Sequence, residues 1–300
     1  MRRILSIVFL LAATPAGAHG VGAWSSDPTW TYSPWIVVPL YLAGGLYLLG
    51  SNRIWRRAGF GRGARRRELI CFWTGWTVLA LTLVSPLHWL SEQLLSAHMI
   101  EHELIMVVAA PLLVMARPLG AFLWALPLPW RRGLRSVIVV PAFAATWVLL
   151  TEPLAATLLH AGTVWVWHVP VLFDAAVANP TAHMAQHVSF LLTALLFWWA
   201  QIHAPRAQRG TAALHFFATM IAFTLLGALL ALCPRTLYVT YAGHSEAFGF
   251  APLEDQQLAG LIMWVPGCMV YAIAALAMLG QWVRGSATRV GGTPGLPKMS

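Results

Sequence analysis

Seven apolar runs, near residues 34–50, 69–89, 98–116, 137–157, 184–202, 212–232 and 258–282, occupy most of the chain. Most approach the roughly 20 residues that a helix needs to cross the hydrocarbon core of a bilayer, and the first is short. In hydrocarbon, backbone N–H and C=O groups must be satisfied within the segment, so runs of this length fold as helices. With 59% hydrophobic residues, 10% charged residues and a mean hydropathy of +0.68, the 300 residues do not suit an ordinary soluble domain. The expected fold class is all-α: a polytopic transmembrane helix bundle of about seven spans after a signal peptide.

The ends and the charges set the expected orientation. Met1-Arg2-Arg3, the apolar run to Ala13 and Ala16-Gly17-Ala18 have the parts of a secretory signal. Residues 1–18 are therefore read as the signal peptide, 19–283 as the transmembrane domain and 284–300 as a disordered cytoplasmic tail. Cleavage after Ala18 makes His19 the new N-terminus, outside the cell. The loops then place sixteen of the nineteen basic residues inside, which is the positive-inside pattern. The formal charge of +9 thus reflects membrane orientation and not a nucleic-acid partner. Nine of the ten acidic residues fall outside, Glu68 being the exception, and of the histidines only His203 and His215 fall toward the cytoplasm. Cys71, Cys233 and Cys268 are too scattered for a disulfide framework and are not read as ligands.

One phrase occurs twice. Ala97-His98-Met99-Ile100-Glu101-His102 returns 85 positions later as Ala182-His183-Met184-Ala185-Gln186-His187, each time opening an apolar run. Histidines four apart on a helix share one face, about 6 Å apart along the axis, so their rings can converge on one ion. Two such pairs can complete a coordination sphere; the plainer reading is a set of polar anchors at the water boundary. Met99 and Met184 are adjacent to a histidine but point about 100° away from its face. Glu101 is better placed to orient an imidazole, and the second copy has Gln186 there. If both copies serve one site, their helices pack side by side in the same direction.

The segment from His160 to Pro180 is too apolar for a solvated loop and too broken by Gly and Pro for a clean span. It reads as a short helix or re-entrant segment along the outer boundary, with Trp165 and Trp167 as anchors and His168 directed inward. Pro111, Pro141 and Pro266 read as kinks, and Gly44-Gly45 as a point of close helix approach. No phosphate-binding loop, dinucleotide fingerprint or nucleophile elbow is present.

Several of these motifs together resemble a known family. His98-Met99-x-x-His102 in the third span, Trp167-His168-x-Pro170-x-x-Phe173-Asp174, Asn179-Pro180-x-x-His183-x-x-x-His187 and Asp255-Gln256-Gln257-x-x-Gly260 are similar to those of the CtaG assembly factors of caa-type cytochrome c oxidase. This is the polytopic family, distinct from the single-span copper chaperone that shares the name. The resemblance covers nearly all of the chain after the signal. It implies a bacterial inner-membrane protein that matures the oxidase and supplies copper to one of its centres.

Three functional readings are open at this stage. In the first, a copper-binding assembly factor without catalytic activity serves cytochrome c oxidase subunits. His98, His102, His168, His183 and His187 are then the ligands, with Glu101, Asp174, Asp255 and His19 orienting them or lining the approach. The second is a haem protein in electron transfer, with one axial histidine from each copy. The third is a zinc-dependent membrane hydrolase with Glu101 as base.

Overall fold

The structure is a computed structural model and describes residues 28–290 apart from positions 60 and 62. The expected signal peptide, His19 and residues 291–300 lie outside the described residues. Every regular element among the described residues is helical.

Helix α1 (Pro34–Ala58) carries Pro39 and is followed by α2 (Arg66–Val84). Ser85 then caps the short α3 (Pro86–Ser91), its hydroxyl accepting from the N–H of Leu87. A turn at residues 92–94 leads into a continuous rod made of α4 (Leu95–Glu103), a π-helical segment Leu104–Ala109 and α5 (Ala110–Ala116). This rod is the most buried of the membrane-length helices, so it forms the axis of the bundle.

Helices α6 (Pro118–Ala125), α7 (Leu128–Ile138) and α8 (Pro141–Leu150) follow. Neither α7 nor α8 contains a buried residue. Helix α7 sets Trp130, Leu134 and Val137 against Arg131, Arg132 and Arg135, the pattern of a helix lying in a membrane interface. Next come α9 (Pro153–Trp167), α10 (Pro170–Ala178), α11 (Pro180–Ile202) and α12 (Arg209–Leu232). The last unit is α13 (Pro252–Ile262), a π-helical segment Met263–Gly267 containing Pro266, and α14 (Cys268–Val290). Helix α14 thus runs past residue 284, where the tail was expected to begin.

Five helical segments are long and apolar enough to cross a membrane, and counting each of two bent pairs as one span gives seven. The protein is therefore a multi-pass helical membrane protein. The expected fourth span, 137–157, is not one helix. The chain breaks at Thr151-Glu152, where the Glu152 carboxylate caps α9 and Pro153 opens it.

Cross-helix bonds give the directions. Gln201 of α11 meets Pro153 and Thr157 of α9, Thr193 meets His160, and Ser189 meets Trp167, so α9 and α11 are antiparallel. His98 lies by His183, His102 by His187, and Trp198 donates to the Met106 carbonyl at 2.9 Å, so the central rod and α11 are parallel.

Two consequences correct the sequence reading. His160 lies inside the bundle, hydrogen-bonded to Tyr271 at 3.0 Å and Thr193 at 3.3 Å, and not at a boundary. Glu152 lies at the opposite end from the repeated histidines, because it opens a helix that runs toward them. Hydropathy alone placed both residues one break too late.

The clustered histidines and the arginines around Trp124 occupy opposite ends. At the arginine end, Arg53 donates to the carbonyls of Trp124 and Ala125 that close α6, while Arg57 and Arg131 lie against the Trp124 ring. Between the ends, Phe190, Phe197, Phe216, Phe223 and Tyr271 form an aromatic core beneath the histidines.

Candidate metal centre

The N-terminus of α4 is capped from across the bundle. Its preceding residue, Leu94, has no polar side chain, and Asp255 of α13 accepts the N–H groups of Leu95 at 2.7 Å and Ser96 at 3.1 Å. At the start of α11 the cap is local: Asn179 accepts from the N–H of Thr181 at 2.8 Å, and Pro180 occupies the first turn. Two differently anchored helices thus bring the two copies of the repeat to the same level.

The rings converge. His98 and His102 have centroids 4.2 Å apart, and His183 and His187 4.4 Å. Between the copies, His98 lies 5.2 Å from His183, and His102 lies 5.2 Å from His187. One ring nitrogen each from His98, His183 and His187 falls within 4.8 Å of the others, close enough to surround a single ion. His102 borders this trio without completing it. His168 stands 6.3 Å from His102 by ring centroids, on the far side of the cluster.

Hydrogen bonds fix several of these rings at Nδ1. His168 Nδ1–H donates to the Val164 carbonyl at 2.7 Å. Tyr241 donates its hydroxyl hydrogen to the Ser91 carbonyl at 2.8 Å, so its oxygen is left to accept from His98 Nδ1–H at 3.0 Å. Burial first, and then Glu101 and other carboxylates, push the Tyr241 hydroxyl well above the ordinary tyrosine range, so it stays a donor. Each tie leaves Nε2 with its lone pair directed away from the bond. The Nε2 atoms of His98, His168, His183 and His187, and both ring nitrogens of His102, are buried without a hydrogen-bond partner.

Glu101 is fully buried and faces two histidines: its Oε1 accepts from His88 Nδ1–H at 2.7 Å, and its Oε2 lies 3.7 Å from His187 Nε2. Burial lowers the His88 imidazole, but the Glu101 and Glu92 charges overcome that effect and raise it above the ordinary histidine value. His88 and Glu92 form a second group with His183, again with ligand atoms within 4.8 Å of one another. Neither residue has a signal in the sequence, because both precede the repeat and share none of its spacing.

The remaining expected residues lie elsewhere. Asp174 accepts from the N–H and hydroxyl of Thr240 and so pins the 3-10 turn Val239–Tyr241. Asp255 is the cap described above. Met99 is buried in the apolar core and Met184 is exposed. The segment expected to be re-entrant is divided: residues 160–167 belong to α9, and only α10, bent 75° from it, forms a separate short helix.

Fold and site together define a multi-pass helical membrane protein with a buried imidazole cluster at one end of the bundle. The chain belongs to the cytochrome c oxidase caa3 assembly factor (CtaG) family, which matches residues 45–285 and so takes in every residue of the cluster. It is 24% identical to the uncharacterized protein ML1998 of Mycobacterium leprae over 270 residues, 85% of this chain and 40% of that protein. It is 26% identical over 242 residues to Mb0105 of Mycobacterium bovis and MT0111 of Mycobacterium tuberculosis, 76% of this chain and 36% of each. The chain thus spans about two fifths of the length of the curated relatives it matches. No solved structure matches it.

Proposed function

We propose that the histidine end holds copper and passes it to a cytochrome c oxidase subunit during assembly of the enzyme. The observation that carries this reading is the set of buried imidazole nitrogens without hydrogen-bond partners, on histidines of which three each bring a ring nitrogen within 4.8 Å of the others. Buried polar atoms in folded proteins are nearly always paired, and an ion is the partner these lone pairs suit. Copper is the cargo here, held without chemical turnover. His98, His183 and His187 take it directly, and His102 and His168 border the site. The donor set is all imidazole, which suits copper well, and the family's link to an oxidase gives the cargo a destination.

The orientation belongs to the same reading. The histidine end faces outside the inner membrane and the arginine end faces the cytoplasm, as the distribution of basic residues favours. The alternatives fit less well. A haem needs a flat slot between two axial imidazoles, whereas His98 and His183 stack at 5.2 Å with planes 19° apart. A hydrolase needs an available base, whereas Glu101 is engaged by His88.

The reading is tested in a strain deleted for this protein and grown under copper limitation. Assembled oxidase should fall in activity and copper content, with haem synthesis and oxidase transcripts unchanged, and added copper should restore part of the loss. Fully copper-loaded, active oxidase in that strain, with no second chaperone present, contradicts the proposal.

A further inference from the structure

We infer that the histidine end contains two metal stations in series, joined by His183, and that copper reaches the buried station by way of an outer one built from His88, Glu92 and His183. The inference rests on the copper reading above and adds a route to it.

Two separate ligand groups share one residue. His98, His183 and His187 form the inner group, and His88, Glu92 and His183 the outer. Their accessibilities differ. In the inner group His98 is 0% exposed and His187 8%, and the shared His183 is partly exposed, so an ion there meets water only past His183. In the outer group Glu92 reaches solvent, on the turn between α3 and α4. The rings of His88 and His183 stack at 5.5 Å with planes 10° apart, and His183 stacks on its other neighbour, His98, at 5.2 Å. His183 therefore stands between the two stations.

The transfer is a ligand exchange. Bonds from copper to a His88 nitrogen and a Glu92 oxygen break as bonds to His98 and His187 nitrogens form, and the His183 bond is kept. The oxidation state does not change, and no other reactant is needed. Cu(I) prefers nitrogen donors to carboxylate oxygen, so the outer station is the weaker and the exchange runs inward. Glu101 faces both stations, with one oxygen on His88 and the other 3.7 Å from His187. A negative charge between two cation positions lowers the cost of the passage.

The test uses the purified full chain and Cu(I), with bathocuproine disulfonate as the competing chelator. Stopped-flow absorbance gives the rates of loading and extraction, and equilibrium competition gives the affinity. Glu92→Gln should slow both rates about tenfold or more while leaving the affinity within about twofold, since the inner ligands are untouched. Glu246→Gln, which removes another exposed carboxylate at the same end, should change neither. Unchanged rates in Glu92→Gln, a large loss of affinity in it, or equal slowing by Glu246→Gln each overturn the two-station route and leave the copper reading in place. A wild-type protein that binds no Cu(I) overturns both.

Discussion

Ser96 and Asp255, 159 residues apart in the chain, are joined by a 2.5 Å hydrogen bond from the hydroxyl to the carboxylate. The same carboxylate takes the N–H groups of Leu95 and Ser96, so the helix carrying His98 and His102 is held at its first turn by α13. Asp255→Ala leaves two buried N–H groups without an acceptor and should cost about 1–3 kcal/mol. Thermal unfolding in detergent should show a lower midpoint, and copper affinity should fall with it. Asp255→Asn keeps one oxygen acceptor and should lose less. An alanine variant with wild-type stability contradicts this role.

Helices α12 and α13 cross through glycines. A Cβ at Gly260 lies 2.4 Å from the Ala231 nitrogen and 2.6 Å from the Gly227 oxygen, and one at Gly227 lies 2.9 Å from the Gly260 oxygen. These neighbours are backbone and cannot swing aside, so Gly260→Ala should destabilise by about 1–3 kcal/mol or more. At Gly45 a Cβ meets nothing within 4 Å, and Gly45→Ala should be neutral or slightly stabilising. Unfolding midpoints of the two variants check the contrast, which fails if they shift alike.

Glu101 acts on the cluster through the imidazoles it faces. Glu101→Gln keeps the size but removes the charge that holds His88 Nδ1–H and lies by His187. Copper affinity should drop about 10- to 100-fold with the fold unchanged by circular dichroism. Unaltered affinity removes Glu101 from the account.

The proposed orientation is open to labelling. In a background without the native cysteines, a cysteine at Ala178 on the histidine end should react with an impermeant thiol reagent applied to intact cells. One at Arg132 on the arginine end should not, since both positions are exposed but lie on opposite sides. The reverse pattern places the cluster toward the cytoplasm.

Much of this arrangement is legible in the sequence, and the exceptions have physical causes. The repeat announces its own geometry, because four-residue spacing on a helix fixes a shared face whatever surrounds it. Parallel packing of the central rod and α11 follows from both copies opening a run at the same end. Hydropathy misplaces the fourth span because Thr151, Glu152 and Pro153 break the helix without interrupting the apolar run. His88 and Glu92 escape notice because they join the cluster only when α3 folds back beside α4, a tertiary event with no periodic signal. Asp255 is legible as a motif residue, but its role as a cap depends on which helix end lies opposite.

The most direct measurement is Cu(I) titration of the purified protein and its histidine variants, with X-ray absorption at the copper edge to count nitrogen ligands. The wild type should show a tight site with nitrogen ligands. His98→Ala, His183→Ala and His187→Ala should each remove most binding, with combinations costing little more, because ligands of one ion act as a unit. His203→Ala and His215→Ala, bonded to Arg117 and Thr157 away from the cluster, should bind as the wild type does. If the triple variant lacking His98, His183 and His187 still binds Cu(I) with wild-type affinity and the same nitrogen count, the convergence of the two copies is structural and the copper site is not here.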